Sequence, residues 1–107
     1  MTLQTRRLIL ERYRKGMVVY VDIDGTLIDW DDKPMIHVID FVKALKEKRG
    51  CELIAWSGGG KDWAEHATKQ LGINHLFDMF LDKPDATIDD LEFAEFCHLR
   101  VKPDELK

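Results

Sequence analysis

Met17 to Val21 is an unbroken apolar, mostly β-branched run that ends abruptly in Asp22-Ile23-Asp24-Gly25. Such a run predicts a strand covered on both faces, as in parallel sheets flanked by helices. The chain then keeps to that plan. Pro34 suits a first helical position, and Met35, Val38, Ile39, Val42 and Leu45 recur at helical spacing to about Arg49, where Gly50 stops the helix. Cys51 to Trp56 predicts a second strand, Ser57-Gly58-Gly59-Gly60 a sharp turn, and Asp62 to Leu71 a helix with Trp63, Ala64, Ala67 and Leu71 inward and Gly72 as its stop. Phe77 to Leu81 predicts a third strand, Thr87 to Asp89 a brief fourth, and Leu91 to Leu99 a last short helix. Strands alternating with helices at this spacing imply an α/β fold with a short parallel sheet and right-handed crossovers.

At 107 residues, 45% of them apolar, the chain has material for one core. The expected organisation is a basic helical leader over residues 1–16 and a single α/β domain over 17–107. No apolar run approaches the roughly 18–20 residues of a membrane span, so no membrane partner is expected. Cys51 and Cys97 lie far apart without metal-ligand spacing, which points to two buried free thiols and a reducing, cytoplasmic setting. The net charge is −4, yet the leader sets Arg6, Arg7, Arg12, Arg14 and Lys15 against Glu11 alone. The rest is therefore strongly acidic and argues against general nucleic-acid binding, which has no support beyond that leader.

In a parallel sheet, ligands bind beyond the carboxyl ends of the strands. Asp22 and Asp24 sit two apart where the first strand runs out, and two anions so placed call for a cation or a shared proton. Ser57 follows the second strand, with Gly58 and its neighbours offering bare N–H groups to an anion. Lys83 follows the third, and Asp89 and Asp90 follow the fourth. Each strand end thus supplies a group suited to holding a divalent metal and a phosphoryl group together. Structural readings compete at each position. Asp-x-Asp-Gly also opens calcium loops, although a strand precedes it here and Leu27-Ile28 follow. A phospho-accepting receiver domain pairs acids after its first strand, but needs an aspartate where Ser57 stands. Ser57 also reads as part of a turn, Lys83 as a surface lysine and Asp89 as a helix cap.

Asp22-Ile23-Asp24-Gly25-Thr26-Leu27 resembles the first signature of the haloacid-dehalogenase superfamily of phosphohydrolases. Leu53 to Ser57 is similar to the second signature, Lys83 to the third, and Ile88-Asp89-Asp90 to the paired-acid form of the fourth. The resemblance implies a Rossmann-like three-layer sandwich and a Mg²⁺-dependent phosphatase working through an aspartyl-phosphate. It makes Asp22 the nucleophile and Asp24 the general acid and then base. Asp22, the Asp24 carbonyl, Asp89 and Asp90 would serve Mg²⁺; Ser57, Gly58 and Lys83 would serve the phosphoryl oxygens, with Lys83 also catalytic in neutralising the nucleophile. An acid at Asp24 favours phosphate esters over carbon–halogen bonds. The alternative is a catalytically weak or inactive module that keeps the fold and binds metal or phosphate.

The intervals from Asp22 to Ser57 and from Ser57 to Lys83 hold no room for a cap domain beyond the short loop Asp29 to Asp32. This implies a capless core with an open site, suited to a large phosphorylated substrate or to closure by a neighbouring subunit. Few residues follow Asp90, so the strand and helix that usually complete such a sheet are expected to be missing. Residues 1–15 are expected to cover the exposed edge, and a homo-oligomer would shield both that edge and the open site.

Overall fold

The structure is a computed structural model that describes residues 3–107. Three of the four expected strands form: β1 (Val18–Asp22), β2 (Glu52–Ser57) and β3 (Met79–Asp82). They pair in parallel in the order β1-β2-β3, with Tyr20 level with Ile54 and Met79, and Asp22 level with Trp56 and Leu81. The helices between them, α2 (Ile36–Glu47) and α3 (Lys61–Gln70), follow α1 (Leu3–Leu10) and lie within two residues of the sequence-based spans.

Strand order explains the layering. Right-handed crossovers that step one way across a sheet place every connecting helix on the same face. Val38, Val42 and Leu45 of α2 and Ala64 and Ala67 of α3 accordingly share one core with Val21, Leu53 and Ala55 of the strands. On the opposite face the expected third layer is reduced to one helical turn, α4 (Phe93–Phe96), whose Phe93 ring lies 6.3 Å from that of Trp56. Val18, Tyr20 and Met79 on that face are exposed, whereas Ile54, central between neighbours, is buried. The continuous apolar run of β1 therefore does not signify burial on both faces.

Thr87 to Asp89 form no strand, and the helix expected over 91–99 shrinks to α4. For the strand the reason is the length of the connection. A parallel partner needs a crossover of about a dozen residues or more, and β3 ends at Asp82. Cys97 is exposed, not buried as expected; Cys51 is buried, both are free thiols, and burial pushes the Cys51 thiol up from its ordinary pKa.

The leader belongs to the core. Ile9 and Tyr13 are buried within it, and the Tyr13 ring meets Phe41 of α2 edge-on at 5.8 Å. Arg49 Nε donates to the Tyr13 carbonyl at 2.8 Å, holding the segment after α1 to the end of α2. Through Ile9 and Tyr13 the leader thus packs on the helical layer, and its helix ends at Leu10, short of the Lys15 expected; the first two leader residues lie outside the described ones. At the end of the sheet remote from Asp22, Asp78 joins three elements. Its carboxylate accepts from Lys46 Nζ of α2 at 2.6 Å and from the Leu53 N–H of β2 at 2.8 Å. Among the described residues no helix is long and apolar enough to cross a membrane.

Candidate functional site

The loop after β1 is fixed by its apolar residues. Ile23 and Leu27 are fully buried, and the Ile23 carbonyl accepts from the N–H groups of Thr26 at 3.1 Å and Leu27 at 2.9 Å. With Ile23 turned into the core, Asp22 and Asp24 on either side of it stay partly exposed. Gly25 takes φ +82°, a conformation that L side chains rarely adopt. Its N–H donates to the Ile28 carbonyl at 2.7 Å and closes the loop.

Asp22 is the most connected acid of the group. Its Oδ1 lies 3.0 Å from Lys83 Nζ, and its Oδ2 accepts from Thr26 Oγ1 at 2.9 Å. Lys83 follows β3, two strands away, and register explains how it reaches Asp22. The Lys83 N–H donates to the Ser57 carbonyl at 3.0 Å, continuing the β2–β3 pairing by one residue. The ammonium then lies 5.7 Å from the ring centroid of Trp56, the residue level with Asp22, so the ring supports the lysine across the gap. Both side chains are about one-third exposed. An ion pair this accessible contributes about 1 kcal/mol or less to folding, so stability is a weak reason for its presence.

Asp24 has a different partner. Trp63 Nε1, from the first turn of α3, donates to its Oδ2 at 3.1 Å. Trp63 also packs against the core, so an anchored indole orients the carboxylate. Sequence periodicity marks Trp63 only as an inward residue of α3. No local signal shows that its N–H faces an acid 39 positions earlier.

Ser57 is buried, and its Oγ accepts from the Gly59 N–H at 3.0 Å. In this geometry Ser57 orders the glycine turn, and its own hydroxyl hydrogen is what it retains to donate. Gly58 is exposed with open space beside its Cα. Asp82, which no sequence pattern singles out, fixes the same turn by accepting from the Lys61 N–H at 2.6 Å. Asp22, Lys83 and the end of β2 are thus brought together, with Asp24 one residue beyond Ile23.

Asp89 and Asp90 lie on an exposed loop, where Asp89 Oδ1 accepts from the Leu91 N–H at 2.9 Å in a local turn. Among the described residues no three His, Cys, Asp or Glu side chains converge into a group that could hold a metal. At the end of β1 the hard oxygen donors are the Asp22 carboxylate and the main-chain carbonyl of Asp24. Such a pair suits Mg²⁺, which commonly takes one or two protein carboxylates and completes its shell with water and phosphate oxygens.

No family model matches the chain, and no solved structure matches it. The chain is 32% identical over 69 residues to an uncharacterized 38.0 kDa protein of Autographa californica nuclear polyhedrosis virus. The match covers 62% of this chain and 21% of the viral protein, so the chain spans about a fifth of that relative's length.

Proposed function

We propose that this chain is a phosphohydrolase of the haloacid-dehalogenase type that cleaves a phosphate monoester through an aspartyl-phosphate on Asp22. The observation that carries the reading is Lys83 Nζ at 3.0 Å from Asp22 Oδ1, a cation drawn from two strands away to the carboxylate that would attack. Asp22 approaches a phosphate dianion against charge repulsion, which a fixed ammonium reduces. Thr26 holds the other oxygen and limits rotation of the carboxylate. Asp24, oriented by Trp63, gives a proton to the leaving oxygen and then takes one from the water that releases phosphate. Mg²⁺ held by the Asp22 carboxylate and the Asp24 main-chain carbonyl would add positive charge where phosphate and carboxylate meet; Asp89 and Asp90, the further metal residues of the resemblance, lie on an exposed loop. Ser57 and Gly58 lie at the turn that would receive the phosphoryl oxygens.

Hydrolysis of p-nitrophenyl phosphate by the purified chain, with and without Mg²⁺, tests this reading. Turnover is expected only with the metal. Asp22→Asn should abolish it, because a carboxamide does not attack phosphorus. Asp24→Asn should slow it by about 10²-fold or more and allow a phosphorylated chain to be seen by intact mass. Normal turnover by Asp22→Asn, or full activity in excess EDTA, overturns the proposal.

A further inference from the structure

A cleft of about 360 Å³ opens beside Gly25, the residue after Asp24, between the loop that begins at Asp29 and the segment around Arg100 and Lys102. Its most prominent wall is Trp30, which is 83% exposed. Tryptophan carries a large apolar surface and is rarely left this open. Trp30 is nonetheless seated: a Cβ on Gly25 would come within 3.0 Å of its Cζ2, so the ring lies directly against the loop that carries Asp22 and Asp24. A Cβ there would press on the edge of the ring, which has room to shift, so the positive φ is the reason for glycine at this position.

The charges in this cleft are unequally committed. Asp29 Oδ1 accepts from the N–H groups of Asp31 and Lys33 at 2.8 and 2.9 Å, shaping the loop. Asp104 pairs with Lys107 at 3.4 Å. Arg100 and Lys102 are exposed, and neither makes an ion pair among the described residues. One open aromatic face and two uncommitted cations, beside a phosphoryl site, match one ligand chemistry. A planar base stacks on the indole, and a second phosphate is bound by guanidinium and ammonium.

We infer that the leaving group bound here is a nucleotide carrying a further phosphate, its base on Trp30 and that phosphate on Arg100 and Lys102. This rests on the phosphohydrolase reading and specifies its substrate class. Two sources share the chemistry: a free nucleoside bisphosphate, and the terminal nucleotide of a phosphorylated strand. The cleft volume is at the low end for ligand pockets and accommodates about one nucleotide. The cations lining the cleft are Arg100 and Lys102, so the contact proposed is with that single unit.

The test is equilibrium binding of adenosine 3′,5′-bisphosphate to the full chain by calorimetry, which requires no turnover. Glycerol phosphate and a phosphoserine peptide serve as comparison probes. The bisphosphate should bind at least about ten-fold more tightly than glycerol phosphate. Trp30→Ala should lose about ten-fold and Trp30→Phe should restore most of it, because a phenyl ring still stacks. The double variant Arg100→Ala with Lys102→Ala should lose about ten-fold and show a weaker salt dependence. All these side chains are exposed, so melting curves should stay close to that of the parent. A 5′-phosphorylated hexanucleotide that binds more tightly than the bisphosphate assigns the site to strand ends; equal binding assigns it to free nucleotides. Equal affinity for glycerol phosphate and bisphosphate, unchanged binding by the variants, or a preference for the phosphopeptide overturns the inference. If p-nitrophenyl phosphate is hydrolysed while these binding differences are absent, the substrate class fails and the phosphohydrolase reading stands. Binding differences without hydrolysis of any ester leave a nucleotide site and remove the phosphohydrolase reading.

Discussion

Leu53 and Ala55 are fully buried in the core formed with α2 and α3, while Val18, Tyr20 and Met79 on the other face of the same sheet leave 54%, 46% and 50% of their surface in solvent. Both sets are apolar. What separates them is strand order, since a sheet that only steps from β1 to β2 to β3 has no crossover to place on its second face. Tyr20, Trp56 and Phe93 cover part of that face with their own rings, Tyr20 meeting Trp56 edge-on at 4.8 Å. The comparison shows that apolar content allows burial, whereas topology assigns it. The site lies where the faces meet, at the carboxyl ends of the strands. Asp22 is level with Trp56 on the open face, and Ser57 is buried on the covered one.

The largest effect is expected on the covered face. Leu53→Ala should lower stability by about 2–5 kcal/mol, because lost transfer energy and an unfilled cavity add in a closed core. Chemical denaturation checks this, and a loss below about 1 kcal/mol would mean that the covered face is not sealed. A smaller effect concerns the pin beneath the same layer. The hydrogen bond from Lys46, with a second from the Leu53 N–H, holds the Asp78 carboxyl below its ordinary pKa. A depressed carboxyl stabilises the fold above its unfolded-state pKa and loses that contribution as pH falls through the folded value. Asp78→Asn should therefore cost about 1 kcal/mol or less at neutral pH, because the pair is partly exposed. The gap from the parent should close as pH drops below about 3.8, the ordinary carboxyl value. A gap constant with pH would leave Asp78 without this electrostatic role. The smallest effect is expected on the open face, where Val18→Thr should change stability by no more than about 0.5 kcal/mol. A loss like that of Leu53→Ala would show that this face is covered in solution.

Much of the candidate site was legible because strand-end logic needs only local order. A β-branched run before Asp22, a glycine turn after Ser57 and a lysine after the third apolar run each occupy a few adjacent residues. Thr26 and Trp63 were present in those stretches, but their hydrogen bonds to Asp22 and Asp24 depend on how the loop and α3 approach each other. Ser57 was readable either as a phosphate ligand or as part of a turn, and its bond from Gly59 supports the turn. Asp89 matched a motif by spacing, yet spacing does not shape the exposed loop that carries it. The Thr87 to Asp89 strand failed for a reason available in the sequence, a connection from β3 too short for a parallel crossover.

By itself the sequence determined the alternation of strand and helix, the bounds of α2 and α3 to within two residues, and the turns at which the acids and Lys83 emerge. Periodicity, glycine stops and β-branched runs act over about ten residues, a range within which chain geometry leaves few choices. Tertiary structure alone decided which face of the sheet was covered, that the leader joined the core through Ile9 and Tyr13, and that Lys83 crossed Trp56 to Asp22. It also laid Trp30 against Gly25 and placed Arg100 and Lys102 along the same cleft. Those outcomes join residues nearly 80 positions apart, and strand order, register and the hand of the crossovers determine where they meet.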